Sequence, residues 1–388
     1  MIIVKRRRTL IYLDVAATTK PKQEVIEAMI PYFNEQYYNP SSLYSSATKI
    51  KEDIERARKI VGNFIKANSD EIYFTSSGSE ANCWVIQGFV NRCNRRNKEA
   101  TIITSTIEHK SIMECVKHMS TDVHYVDVDK FGLINMHSLE LFLHNAYNEA
   151  REILVSIQFA NNEVGTVQDI KEIAKLVHKY DGVFHTDAVQ VVGQIPIDVK
   201  DLNVDIMSVS SHKFNGLKGI GFLYKKNGIE IDPLIYGSQM DGMRGGTENT
   251  AYIIGMAKAI ELCDISDNKI EGMYRKRDYF TNELVRNFGC MVNGSLDSRL
   301  PNNINVTFPQ NITGEALLYL LDISNILIST GSACNSKSVE PSYVLKAINL
   351  SDEQAMRTIR ISLSDDITYE QIDYVIDEIG RSLKLIET

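Results

Sequence analysis

Val209-Ser210-Ser211-His212-Lys213-Phe214-Asn215-Gly216 follows an apolar run at 204–209 and precedes Gly219-Ile220-Gly221-Phe222-Leu223-Tyr224. Both flanks read as buried strands, rich in β-branched and aromatic residues. Most lysines occupy solvated faces, because an ammonium is costly to bury. Lys213 stands instead among small, hydroxyl-bearing and glycine residues between two apolar segments. Desolvation disfavours the charged form of a lysine, and a neutral amine is what a Schiff base to an aldehyde cofactor requires. Alone, the run suits a structural or phosphate-binding lysine equally well.

Three further segments narrow the reading. Phe184-His185-Thr186-Asp187-Ala188-Val189-Gln190 ends a short strand in an acidic residue, a crossover-sized stretch before Lys213. An Asp after a strand is commonly a helix N-cap. Paired with Lys213 it suits pyridoxal phosphate, whose pyridine nitrogen needs an anion for the ring to act as an electron sink. Glu71-Ile72-Tyr73-Phe74 reads as a strand, and Thr75-Ser76-Ser77-Gly78-Ser79-Glu80 then opens a helix with capping-box spacing between Ser77 and Glu80. A helix N-terminus with small residues and free N–H groups favours a phosphate. Finally, Ser329-Thr330-Gly331-Ser332-Ala333-Cys334-Asn335-Ser336 is a small, polar loop holding one cysteine. A thiol there, without apolar neighbours beyond Ala333, can attack a bound substrate as a thiolate.

With these residues in place the chain resembles a group I cysteine desulfurase of the NifS/IscS-like kind, a fold-type I pyridoxal-phosphate enzyme. The resemblance runs from Tyr12-Leu13-Asp14-Val15-Ala16-Ala17-Thr18-Thr19 to Thr358-Ile359-Arg360-Ile361-Ser362-Leu363. It includes Asn39-Pro40-Ser41-Ser42, Glu108-His109, Asn161-Asn162-Glu163-Val164-Gly165, Arg244-Gly245-Gly246-Thr247-Glu248-Asn249 and Gly331-Ser332-Ala333-Cys334. It implies an α/β fold: a large domain with a mostly parallel seven-stranded sheet sandwiched by helices, and a smaller α+β domain carrying the cysteine loop. On that reading residues 21–255 form the large domain, and residues 1–20 with 256–388 the small one.

The resemblance also implies roles. Lys213 holds pyridoxal 5′-phosphate and removes the Cα proton of L-cysteine; Asp187 backs the ring; Cys334 takes the sulfur as a persulfide and L-alanine leaves. His109 lies over the ring and shuttles protons. Gln190 donates to the phenolic oxygen, with Asn162 nearby. Gly78, Ser79, Ser210 and His212 hold the phosphate, and Thr247 reaches the phosphate of a second subunit in an obligate homodimer. Arg360, a residue type matched to bidentate carboxylate binding, clamps the substrate carboxylate, helped by Asn39 and Asn162. The sulfur passes to an acceptor protein, for iron–sulfur cluster assembly, tRNA thiolation or DNA phosphorothioation. A selenocysteine lyase, an aminotransferase or a non-catalytic scaffold on the same fold are the competing readings; the retention of Lys213, Asp187 and Cys334 speaks against the scaffold.

Bulk properties are those expected of a soluble globular protein. The 388 residues are 44% hydrophobic and 24% charged, with a net charge of −8. That acidity argues against direct nucleic-acid binding, and Lys5-Arg6-Arg7-Arg8 reads as a short solvated arm. No apolar run is long enough to span a bilayer and no signal-peptide core is present, so the cytoplasm is expected. The six cysteines match neither a zinc nor a disulfide framework, and no metal is expected. Cys83 and Cys263 read as core residues.

Strand-like runs at 101–105, 123–128, 153–159, 182–186, 204–208 and 219–224 alternate with helical stretches near 112–119, 137–146 and 170–180. Such alternation predicts a mostly parallel sheet covered on both faces, with ligands outside the carboxyl ends of its strands. Ser77–Ser79, His109, Asn162, Asp187 and Lys213 all fall at those ends. After residue 250 the pattern changes to one long helical stretch at 249–288, short strands at 303–308, 326–328 and 358–362, and a last helix opened by Thr368-Tyr369-Glu370-Gln371.

The chain departs from the family pattern in places. The phosphate turn carries Ser77-Gly78-Ser79 in place of glycine-glycine-threonine, and Ser79 keeps the hydroxyl. Ser211 replaces glycine, Tyr44 and Tyr236 stand where histidine is common, and Asp365 where a basic residue is common. The segment before Arg244 is one residue short. These changes leave the chemistry intact and bear on the choice of sulfur acceptor.

Overall fold

The computed structural model of the chain describes residues 10–330 and 341–386. Cys334 with its loop neighbours, and the basic run at 5–8, lie outside the described residues. In chain order the strands are β1 (Ile11–Tyr12), β2 (Ile72–Thr75), β3 (Ala100–Ser105), β4 (Asp122–Val126), β5 (Glu152–Ser156), β6 (Val183–Asp187), β7 (Ile206–Ser210), β8 (Gly221–Lys225), β9 (Met291–Val292), β10 (Asn303–Thr307), β11 (Ile326–Leu327) and β12 (Thr358–Ser362). The helices are α1 (Gln23–Met29), α2 (Pro31–Asn34), α3 (Ser45–Phe64), α4 (Gly78–Arg95), α5 (Lys110–Lys117), α6 (Met136–Asn148), α7 (Ile170–His178), α8 (Thr250–Glu261), α9 (Asp267–Phe288), α10 (Gly314–Ile323), α11 (Tyr343–Ala347), α12 (Asp352–Met356) and α13 (Tyr369–Ile386).

Strands buried on both faces belong inside a covered sheet. β3, β7 and β8 are buried along their whole length. They lie in a seven-stranded sheet of order β2-β8-β7-β6-β5-β3-β4. β8 runs antiparallel to both neighbours and the remaining pairs are parallel. Side chains alternate faces along a strand. Ile102, Leu154, Ile206 and Leu223 therefore pack on one side with Trp84 and Phe89 of α4. Their neighbours Ile103, Val155, Met207 and Phe222 pack on the other, with residues of α1, α3, α6, α7 and α8. α7 shows how the pattern works locally: Ile170, Ile173, Ala174 and Val177 are its buried residues, the i, i+3, i+4, i+7 stripe of an amphipathic helix.

The later residues build a second body. β10 pairs antiparallel with β12 and β9, and the N-terminal β1 adds in parallel to β11. Leu13, Phe280, Ile304, Leu321, Ile359 and Val375 share its core. Val344, Leu345 and Ile348 of the α11 region pack instead with the core beside the large sheet. Thr368 and Gln371 open α13 as predicted, exchanging side-chain-to-backbone bonds of 3.0 and 3.2 Å.

The long helix expected at 249–288 is two helices. α8 ends at Glu261, and α9 starts at Asp267. Asp264 Oδ1 accepts the Ser266 N–H at 3.0 Å, a local turn that competes with the helical bonding pattern. Cys83 and Cys263, expected in the core, are only half-buried.

Candidate active site

The carboxyl end of β2 leads into the predicted helix start. Ser77 is the N-cap of α4, its Oγ accepting the Glu80 N–H at 3.1 Å, a contact worth about 1 kcal/mol. Glu80 reaches back to the Ser76 N–H at 2.7 Å, and Arg244 binds its carboxylate at 2.9 Å. The first amides of α4 have no partner within the helix and lie at its positive end. Gly78 is required by proximity: a Cβ there would meet Val189 Cγ2 at 2.8 Å and Ser210 Cβ at 3.3 Å. Ser79, Ser210 and His212 border the same space.

Asp187 ends β6 beside this helix. Its Oδ1 accepts the Val189 N–H at 3.0 Å, and its Oδ2 accepts from Asn82 Nδ2 at 2.7 Å. It closes a turn and caps no helix. Asn82 is 1% exposed and also donates to Ser111 Oγ at 2.9 Å. His109 does cap a helix: its Nδ1 accepts the Ser111 N–H at 3.1 Å at the start of α5. An Nδ1 that accepts leaves the ring proton on Nε2. Burial holds this imidazole below the usual histidine range; Asp187 opposes that shift, and Lys213 and Lys110 reinforce it.

Lys213 lies in a single 3-10 turn just after β7. Its Nζ donates to the carbonyls of Ala16 at 2.5 Å and Ala17 at 2.8 Å. Gln190 Nε2 donates to the same Ala16 carbonyl at 3.0 Å. His212 Nδ1 meets Thr18 Oγ1 at 3.1 Å, and burial, with Lys213 and Lys218 adding to it, brings its pKa down to about 4.

Arg360 enters from β12 and is 4% exposed. It donates to the Asn162 carbonyl at 3.0 Å and to Asp14 Oδ1 at 2.7 Å, while its Nε is buried without a partner. Such an orphan donor suits a ligand carboxylate. Beside it, burial pushes the Glu163 carboxyl up to about 7, against the Ser342 hydrogen bond that lowers it.

Gly78, Ser79, His109, Asn162, Asp187, Gln190, Ser210, His212, Lys213 and Arg360 thus border one cavity of about 490 Å³. Asn39 is not among its lining; its Oδ1 accepts the Ser41 N–H at 2.9 Å. Thr247 is exposed and outside the lining too, and it is not the cap of α8, whose N-cap is Asn249. Cys334 lies outside the described residues, but Pro341, Ser342 and Tyr343, which follow its loop, line the cavity. Sequence reasoning gave no role to Asn82, Ser111, Asp14 or Glu163. Asn82 stands one helical turn after Gly78, and Ser111 stands two residues after His109, where an N-cap side chain meets a backbone N–H; that spacing was the available signal.

Pyridoxal phosphate fits these residues. A lysine amine, a carboxylate braced by two donors and a helix N-terminus whose cradle a Cβ would fill converge on a space of cofactor size.

The comparisons with known proteins agree. The Aminotransferase class-V family matches residues 11–375. A protein named Cysteine desulfurase IscS from Dictyoglomus turgidum is 43% identical over 97% of this chain and 95% of its own length. A solved NifS-like protein superposes with a TM-score of 0.89 at 34% identity, covering 97% of this chain and 100% of that one. A structure titled SspA in complex with cysteine superposes at 0.78 with 35% identity over 92% of this chain and 99% of that one. The chain belongs to the class-V aminotransferase family and, within it, to the pyridoxal-phosphate-dependent cysteine desulfurases.

Proposed function

We propose that this chain converts L-cysteine to L-alanine and passes the sulfur, through Cys334, to an acceptor protein. The observation that carries this is the convergence of Lys213, Asp187 and Arg360 on one cavity. The cofactor, when bound, supplies an electron sink for the bond changes at the substrate.

The chain's own residues do the rest. Gly78, Ser79, Ser210 and His212 would hold the cofactor phosphate, Gln190 and Asn162 its phenolic oxygen, and Asp187 its pyridine nitrogen. Lys213 Nζ would hold the cofactor covalently and move the Cα proton. The Nε2–H of His109 would hand on a proton. Arg360, with Asn162, binds the substrate carboxylate, and Asn39 assists. Cys334 Sγ attacks the substrate sulfur. An S–S bond forms and the C–S bond breaks, its electron pair going to the carbon, which takes up a proton. Thiol plus cysteine becomes persulfide plus alanine without an external oxidant.

The reading includes a homodimer in which Thr247 reaches the partner's phosphate site. Exposed apolar side chains support a second copy: Leu43 is 100% exposed and Tyr37, Tyr44 and Tyr236 more than half so. The division into residues 21–255 and residues 1–20 with 256–388 belongs to the same reading. The same reading puts the enzyme in the cytoplasm; among the described residues no helix is long and apolar enough to cross a membrane.

The test is protein loaded with pyridoxal phosphate and given L-cysteine. Visible absorbance from the lysine-bound cofactor, alanine release, and loss of sulfur transfer in Cys334→Ala are expected. A keto-acid product would mean an aminotransferase, and faster turnover of selenocysteine a selenocysteine lyase. Sulfide release unchanged in Cys334→Ala would remove the nucleophile assignment. Transfer assays against an iron–sulfur scaffold, a tRNA-thiolation protein and a DNA-phosphorothioation protein identify the acceptor.

A further inference from the structure

Glu163 stands where three parts of the molecule meet. Its main-chain carbonyl accepts from Asn303 Nδ2 at 3.3 Å and Asn305 Nδ2 at 3.2 Å, both on β10. Its carboxylate accepts from Ser342 Oγ at 2.5 Å. The residue before it, Asn162, gives its carbonyl to Arg360. Glu163 is 5% exposed and borders the active cavity.

Ser342 is equally committed. Its Oγ accepts the N–H groups of Val344 at 3.1 Å and Leu345 at 3.3 Å, capping α11. The next residue, Tyr343, donates its hydroxyl to the carbonyl of Glu108, the neighbour of His109, at 2.5 Å. Earlier in the chain, Ser329 and Arg360 exchange backbone hydrogen bonds of 2.7 and 3.1 Å. The chain is therefore tied to the segments carrying His109, Asn162 and Arg360 at two places, one on each side of Cys334 in sequence.

We propose that Glu163 is a positioning residue for sulfur transfer, acting through Ser342 to set the approach of Cys334 to the substrate sulfur. This rests on the reading of Cys334 as the thiol that takes the sulfur. The physical reason is geometric: reacting atoms must come within about 3–3.5 Å in line, and a misplacement of about 1 Å costs on the order of a hundredfold in rate. A short hydrogen bond to a buried carboxylate is a strong fixing contact. Glu163 touches neither the sulfur nor the cofactor in this role, so its loss impairs the S–S bond-forming step and spares the steps before it.

The experiment uses holoenzyme and single turnovers of L-cysteine. It reads the persulfide on Cys334 by mass, and separately the first visible absorbance change on mixing. Glu163→Ala and Ser342→Ala are each expected to slow persulfide formation about tenfold, about 1.4 kcal/mol. The double variant should be no slower than either single, because both remove one contact. Glu163→Gln, whose amide oxygen still accepts from Ser342, should recover most of the rate. Cofactor content and the first absorbance change should hold throughout. Unchanged persulfide rates, additive losses, or equal loss of the first absorbance change would each overturn the proposal. Where Glu163→Ala fails to fold, Ser342→Ala and Glu163→Gln still decide it. Sulfide release that survives Cys334→Ala overturns the reading beneath, and this one with it.

Discussion

Asn82 Nδ2 donates to Asp187 Oδ2 at 2.7 Å from a side chain that is 1% exposed. The bond ties α4, whose start is the proposed phosphate cradle, to the end of β6, where Asp187 is proposed to supply the anion. Two walls of one cavity, the proposed cofactor site, are thereby held together by a single amide. Hydrogen bonds to charged groups contribute about 1.5–3 kcal/mol. Asn82→Ala is therefore expected to weaken pyridoxal-phosphate affinity about tenfold or more, with a smaller change in thermal stability. Cofactor titration by absorbance checks it, and an unaltered affinity would show that Val189 N–H alone suffices to hold Asp187.

Gly78→Ala places a methyl group 2.8 Å from Val189 Cγ2 inside the cradle. The helix itself gains from alanine. The fold should survive while cofactor affinity drops at least tenfold, a separation that melting curves with and without added cofactor would reveal.

Asp14 and Arg360 are 2.7 Å apart, and the aspartate shares the guanidinium with the Asn162 carbonyl. Asp14→Ala releases one side of that fork. Its expected signature is a rise in KM for cysteine of about tenfold with a lesser change in kcat. A change confined to kcat would place Asp14 elsewhere in the cycle.

His185 is fully buried between Ser156 Oγ and Ser208 Oγ, each 2.9 Å away, and burial brings its imidazole down to about 3. The folded state binds the proton less readily than the unfolded chain. The stability this supports is complete above the ordinary histidine value and is lost as the pH falls from there toward about 3. Between pH 6.5 and 5 the loss amounts to about 2 kcal/mol. Unfolding free energies of wild type and His185→Gln should converge or cross by that amount over this interval.

Glu108 carries the opposite sign. It is fully buried, and burial raises its carboxyl to about 8, with the Ser105 and Gln158 hydrogen bonds opposing. Its contribution is full below the ordinary carboxyl range and is lost as the pH rises through about 8. Glu108→Gln, neutral at every pH, should gain on the wild type by about 2 kcal/mol between pH 6 and 7.5. A pH-independent difference would mean that Glu108 is ionised in the folded protein.

The parts of the candidate site carried by local chemistry were legible in the sequence. Lys213 between two apolar strands, Asp187 at a strand end and Ser77 before a helix each announce themselves within a few residues. The alternation of buried runs likewise indicated a mostly parallel sheet with the motif residues at its carboxyl edge, where they are found. The interruption at 262–266 escaped because an apolar periodicity shows no break where a side-chain turn ends a helix. The division of the segments near α8 and α11 between two cores depends on which surfaces meet, and no local pattern encodes that.

Strand and helix periods, together with residue types able to hold an aldehyde, an anion and a phosphate, follow from the order of amino acids, because each depends on neighbours within a turn or two. The grip of Asn82 on Asp187, of Asp14 on Arg360 and of Glu163 on Ser342 joins residues 105, 346 and 179 positions apart. Only the packed chain decides those contacts, since a hydrogen bond of under 3 Å exists once the strands and helices between its partners have closed the distance.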